Sequence, residues 1–171
     1  MKKIISICTV LIVILSVPIY KYIEFSNERL NNYSDKILSI AVNTNNSIYF
    51  LTEQSRSEKS FIHDSNDLIS NIYALETVLD SAYIFLTGSG IYSNSFYYLS
   101  DNLMKELKYN NLNKETIEDL NTITRSTDIL IQRLRPYYGT GSTISKKEII
   151  HAIEDFLEEM GKLHYIKLWR D

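Results

Sequence analysis

Leu68-Ile69-Ser70-Asn71-Ile72-Tyr73-Ala74-Leu75-Glu76-Thr77-Val78-Leu79-Asp80-Ser81-Ala82-Tyr83-Ile84-Phe85-Leu86 is the stretch that sets the fold class. Its apolar members Leu68, Ile69, Ile72, Leu75, Leu79, Ala82, Tyr83 and Leu86 return at steps of three and four, which lines one face of an α-helix. Gly88-Ser89-Gly90 follows at once and predicts the helix end, because glycine accepts the left-handed backbone found beyond helix termini. Upstream, the polar run Ser55-Arg56-Ser57-Glu58-Lys59-Ser60 reads as the preceding turn.

Earlier in the chain, Leu30, Ser34, Ile37, Ala41, Thr44, Ile48 and Leu51 keep the same spacing and predict a first helix. Asn43-Thr44-Asn45-Asn46-Ser47 is its expected weak point, since these side chains compete for backbone hydrogen bonds and can kink or end a helix. Downstream, a shorter helix is expected within residues 95–109, with Phe96, Leu99, Leu103 and Leu107 on one side and Asn110-Asn111-Leu112-Asn113 as its break.

Asn113 is suited to cap the next helix, with Glu115 in its first turn and an apolar stripe of Ile117, Leu120, Ile123, Ile131 and Leu134. Pro136 closes that helix, and Tyr137 to Thr143 reads as a flexible connection. Ser145-Lys146-Lys147-Glu148 is a capping box, opening a last helix that carries Ile149, Ile150, Ile153, Phe156, Leu157 and Met160. No apolar/polar alternation bounded by turn residues occurs, so no sheet is expected. The expected class is all-α, an N-terminal transmembrane helix followed by an antiparallel bundle of four to five helices around one core.

The transmembrane reading rests on Ile4 to Tyr20, a run without charge that covers about 26 Å as a helix, near the ~30 Å hydrocarbon thickness of a bilayer. Residues 1–3 are then cytosolic, 4–22 a signal-anchor and 23–171 an extracytoplasmic helical domain. Lys2 and Lys3 favour a cytosolic N-terminus, while Tyr20 and Tyr22 suit the membrane–water boundary on the exit side. The alternative is a cleaved signal peptide, which would make the domain secreted. Bulky residues around Ser16-Val17-Pro18 fit cleavage poorly. Cys8, the sole cysteine, lacks the small preceding residue of a lipoprotein signal and excludes an intramolecular disulfide.

Of 18 basic residues, setting aside Lys2 and Lys3 leaves 16 against 21 acidic ones, a net charge of −5 outside the cell. This argues against nucleic acid, and against an anionic membrane surface as the main partner. No catalytic, cofactor or metal set is expected. Glu148 and His151 have the Glu-x-x-His spacing of di-iron bundles, yet no second pair exists and the capping box occupies Glu148. His63, Asp64 and Asp67 stand near a predicted helix start, where acids favour the dipole. The Gly139-to-Thr143 run lacks the lysine of a phosphate loop and reads as a hinge.

Two groups remain as candidate sites. Glu76 and Asp80, at the margin of the most apolar helix, form a candidate buried polar or ligand site to which Arg125, Arg133 or Arg135 would supply a cation. The tyrosine-bearing segments Tyr92, Phe96, Tyr97, Tyr98 and Tyr137, Tyr138 form a candidate partner surface, tyrosine giving rigid amphipathic contact area. An A·T-rich coding sequence would also explain the 13 tyrosines. The layout resembles many small bacterial membrane proteins, which implies a place and no activity. The expected function is non-enzymatic: an accessory or regulatory interaction subunit binding another membrane or envelope protein, with homo-oligomerisation open. The alternative is a ligand-binding sensory bundle that signals through a membrane partner.

Overall fold

The computed structural model describes residues 2–52, 58–91 and 112–163 together with Leu103, Lys105 and Leu107; side chains are described from Ser16 onward in the first helix and from Phe61 in the second. Four α-helices and no strands occur among the described residues: α1 (Lys2–Thr52), α2 (Glu58–Thr87), α3 (Lys114–Leu134) and α4 (Lys146–Met160), with a 3₁₀ turn at Arg135–Tyr137.

All seven positions of the first-helix register, Leu30, Ser34, Ile37, Ala41, Thr44, Ile48 and Leu51, are buried. Alternating steps of four and three keep them on one stripe, as packing against neighbouring helices requires. In the second helix Leu68, Ile69, Ile72, Leu75, Leu79, Ala82 and Leu86 are buried, with Tyr83 packed at the edge of the core. Gly88 ends α2 at φ 78°, and its N–H reaches Ile84 O at 2.8 Å. The helix expected at 95–109 lies mostly outside the described residues, but Leu103 and Leu107 are helical and buried and Lys105 is exposed, as one face of a helix demands.

Cross-helix contacts fix the directions. Asn71 Nδ2 donates to Ser47 Oγ at 3.0 Å, whereas Phe85 lies beside Arg29 and Tyr33, so α2 runs antiparallel to α1. Asn45 meets Asp128 and Thr127 midway along α3, while Ile144, beyond its end, meets Asn31, so α3 is also antiparallel to α1. Arg125 pairs with Glu159 and Tyr137 with Glu148, which turns α4 back alongside α3. Helices α1 and α4 therefore climb away from the end at which α1 enters the bundle, and α2 and α3 descend toward it.

The Asn43–Ser47 stretch does not end α1, one of the two outcomes expected of it, and the helix runs on to Thr52. Asn45 and Ser47 bond outward to neighbouring helices, and Thr44 bonds to the backbone of its own helix without interrupting it. Asn45 Nδ2 donates to Asp128 Oδ1 at 2.7 Å, Thr127 Oγ1 donates to Asn45 Oδ1, and Ser47 accepts from Asn71. Thr44, fully buried, donates to Ile40 O at 2.8 Å and so keeps the helical hydrogen bonding around it. Such a satisfied polar layer fixes the vertical register of three helices, because any slip would leave buried donors without acceptors.

The face of α3 also differs from expectation. Ile117 is 42% exposed and Ile131 half-buried, while the buried stripe runs Thr116, Leu120, Ile123, Thr127, Leu130, Leu134, with Asp119, Thr122 and Ser126 flanking it. The hydroxyls of Thr122 and Ser126 donate to carbonyls four residues earlier, at 3.0 and 2.8 Å, and so sit inside the core without needing a partner from another helix. Asn113 caps the helix as expected, its side chain accepting from Thr116 N at 2.8 Å, a contact that contributes about 1 kcal/mol.

Along the first part of α1, residues 16–25 are all exposed, including Val17, Ile19, Tyr20, Tyr22, Ile23 and Phe25. Among the described residues no helix is long and apolar enough to cross a membrane. Most of the Ile4–Tyr20 run has side chains outside the described residues.

Candidate functional site

The end of the bundle where α1 enters is closed by the link between α3 and α4. Pro136 locks the first position after α3 into a 3₁₀ turn, and the N–H of Tyr138 reaches Arg135 O at 3.1 Å. Gly139 and Gly141 follow at φ 69° and 72°, a backbone region that side-chain-bearing residues rarely adopt. Thr140 Oγ1 donates to Tyr137 O and accepts from Ser142 N, at 3.1 and 3.2 Å. Ile144, fully buried, donates its N–H to Asn31 Oδ1 at 3.3 Å. The stretch expected as a flexible connection or hinge is thus a hydrogen-bonded turn pinned to α1.

Ser145 and Glu148 form the capping box: Ser145 Oγ accepts from Glu148 N at 3.2 Å and Glu148 Oε2 accepts from Ser145 N at 2.9 Å. The second carboxylate oxygen accepts from the Tyr137 hydroxyl, which couples the 3₁₀ turn to the first turn of α4. The Tyr137 hydrogen bond, with those from Ser145, holds the Glu148 carboxyl below the ordinary range. The same bond to Glu148 raises Tyr137, by favouring the neutral phenol. The two candidate tyrosines therefore part: Tyr137 is half-buried against the core, and Tyr138 is 60% exposed. Tyr92, Phe96, Tyr97 and Tyr98 lie outside the described residues.

Glu76 and Asp80 are both half-buried on α2. Asp80 Oδ1 accepts from the N–H of Ile91 at 2.8 Å, folding the Gly88–Gly90 turn back onto its own helix. A Cβ at Gly90 would stand 3.3 Å from that oxygen, so glycine gives the turn its close approach. Arg125 and Arg133, expected to supply cations to this pair, turn to α4: Arg125 Nε lies 3.1 Å from Glu159 and Arg133 Nη2 lies 2.5 Å from Asp155. The cause is topological, since α3 packs on α1 and α4.

These pairs line an open groove of about 590 Å³ between α3 and α4, bounded by Ile129, Gln132, Arg133, Asp155, Glu158, Glu159 and Lys162. Lys162 foremost, then Arg125, lowers the Glu159 carboxyl below its ordinary range. Both sides of the groove are charged, and Arg133, Asp155, Glu159 and Lys162 among its lining residues are in ion pairs, which suits contact between the helices more than capture of an uncharged ligand. His63 and Asp67 make an exposed i,i+4 contact at 3.7 Å at the other end of the molecule, and His151 is exposed. Buried Asp119, 1% exposed, and the buried hydroxyls of α3 had no signal in the apolar pattern; only the spacing of Thr116 and Thr127 with Leu120, Ile123, Leu130 and Leu134 could have revealed them.

Stability should fall on acidification, with a definite sign. Glu148 and Glu159 both have folded-state pKa values lowered from the ordinary one. Their contribution is complete above the unfolded-state value, about 4.3, and is lost as the pH falls through the lower folded-state values. Thermal unfolding of the full chain in mild detergent, followed by circular dichroism, should show Tm dropping steadily below about pH 5. The variant with Glu148→Gln and Glu159→Gln should have a lower Tm at neutral pH and a shallower acid slope; parallel slopes would assign acid sensitivity to other carboxylates.

No family model matches the chain, and neither the curated proteins nor the solved structures contain a significant match to it.

Proposed function

We propose that the protein is a single-pass membrane-anchored subunit whose helical bundle stands outside the cytosol and works by binding another membrane or envelope protein, without catalysis. The observation that carries this reading is the continuity of α1. One 51-residue helix, about 76 Å long, begins at the basic, apolar start of the chain and ends as a core element of the bundle. Between these parts Val17, Ile19, Tyr20, Tyr22, Ile23 and Phe25 are exposed on every side of the helix. So many large apolar side chains left exposed, with only Lys21 and Glu24 charged among residues 17–25, suit the edge of an apolar phase, and the upstream run from Ile4 is long enough for a bilayer.

Lys2 and Lys3 favour the cytosolic side for the N-terminus. An unbroken helix would hold the bundle at a fixed height above the bilayer, which suits a module that meets a neighbouring membrane protein. Tyr92, Phe96, Tyr97 and Tyr98 are the residues proposed to make that contact, as amphipathic aromatic rings suit interfaces.

The test is purification of the tagged full-length protein from its native membrane in mild detergent, with mass spectrometry of what accompanies it. A stoichiometric membrane protein is expected, and it should be lost from the Tyr97→Glu, Tyr98→Glu variant while helicity is retained. A partner-free protein carrying a small molecule would replace this reading with a ligand-binding sensory bundle.

A further inference from the structure

One described stretch of the bundle carries basic residues only, which a net charge of −3 conceals. Residues 135–147 contain Arg135, Lys146 and Lys147 and no acid, and all three cations are exposed. They sit at the end where α1 enters, since the segment is tied to α1 through Ile144 and Asn31 and closed on itself through Tyr137 and Glu148. At the opposite end of α4 the acids Asp155 and Glu159 are met by Arg133, Arg125 and Lys162, so acids and cations mix there. On the α1 shaft below, Lys21 and Arg29 are offset by Glu24 and Glu28, so the surplus positive charge belongs to the loop.

This arrangement runs against the helix dipole. Anions are favoured at a helix N-terminus and cations at its C-terminus, yet α4 opens on Lys146-Lys147 and has no basic residue in its last turn. Glu148, the acid in the first turn, is held by the capping box and Tyr137. The dipole of α4 therefore does not account for the paired lysines.

We propose that Arg135, Lys146 and Lys147, with the ring of Tyr138, seat the bundle on anionic phospholipid headgroups of the leaflet from which α1 emerges. The inference rests on the membrane-anchor reading above. Asn31, to which the loop is pinned, is nine residues beyond Tyr22, where the anchor ends, a rise of about 13.5 Å. The interfacial layer outside the hydrocarbon is roughly 5–8 Å deep, and the potential of an anionic surface extends about 8–10 Å further at physiological salt. Extended lysine and arginine side chains reach into that range. Tyr138, 60% exposed, has the amphipathic ring found at headgroup level.

The full chain in the Trp169→Phe background, reconstituted into nanodiscs, offers two reporters: Tyr138→Trp on the loop and Tyr20→Trp on the anchor. Acrylamide quenching of the loop reporter should fall about twofold or more between phosphatidylcholine discs and discs rich in phosphatidylglycerol, and recover in roughly 0.5 M salt. Replacing the three cations by glutamine should abolish the difference and leave the anchor reporter shielded. Equal quenching of the loop reporter in both lipids, with the anchor reporter shielded, overturns the headgroup contact and leaves the anchor standing. An anchor reporter as accessible as free tryptophan in both lipids overturns the anchor, and the headgroup contact with it.

Discussion

Phe156→Ala lowers the unfolding free energy by about 3–5 kcal/mol, the range for removing a fully buried aromatic ring. Phe156 heads the fully buried side chains by volume and lies on the α4 face shared with Ile149, Ala152, Ile153 and Met160. The loss combines the transfer free energy of the ring with a cavity that helices locked by other contacts cannot close. Here the neighbouring buried side chains Ile149, Ala152, Ile153 and Met160 keep α4 at its spacing, the exposed Arg125–Glu159 and Arg133–Asp155 pairs adding little. Urea unfolding of the full chain in a non-denaturing detergent should show a lower midpoint with an unchanged slope. Ile117→Ala is the control: at 42% exposed it should stay within about 0.5 kcal/mol of the parent. Equal losses at the two positions would contradict the assignment of the buried face.

That contrast also shows where the sequence was readable. Helices α1 and α2 could be read from their apolar spacing because each buries a stripe of mainly large aliphatic residues. Caps were equally readable, since Asn113 and the Ser145–Glu148 box act within three residues of chain and need no tertiary partner. In α3 the reading drifted onto Ile117, because Thr116, Thr122, Ser126 and Thr127 count as polar in a pattern but are buried, with their hydroxyls met by the Asn113 cap, their own helix or Asn45. The two-tyrosine site divided for a related reason. Only the fold brings Glu148 to the Tyr137 hydroxyl, leaving Tyr138 as the exposed ring. Likewise the cations sought for Glu76 and Asp80 are on a helix that packs elsewhere. Pairings across helices depend on topology, which periodicity does not encode.

Asn45→Leu is expected to cost about 2–3 kcal/mol, although it replaces a polar residue by an apolar one of similar size, because hydrogen bonds to charged groups contribute about 1.5–3 kcal/mol. The Asn45 amide gives its N–H to the Asp128 carboxylate at 2.7 Å and takes the Thr127 hydroxyl proton on its oxygen, so leucine strips a partner from each. Thr127 retains Ile123 O at 2.9 Å as an acceptor, whereas the half-buried Asp128 loses a donor to a charged oxygen. Most of the loss therefore comes through Asp128, and Asp128→Asn in the Asn45→Leu background should recover part of it by removing the charge. A double-mutant cycle between Asn45→Leu and Thr127→Val should return a coupling of about 0.5–2 kcal/mol, since the residues share one bond. Additive losses would show that the polar layer holds no register. Coupling would show that the run Asn43–Ser47, which reads as a break in a lone helix, sets the height at which α2 and α3 dock on α1, and with it the height of the basic loop above Tyr22.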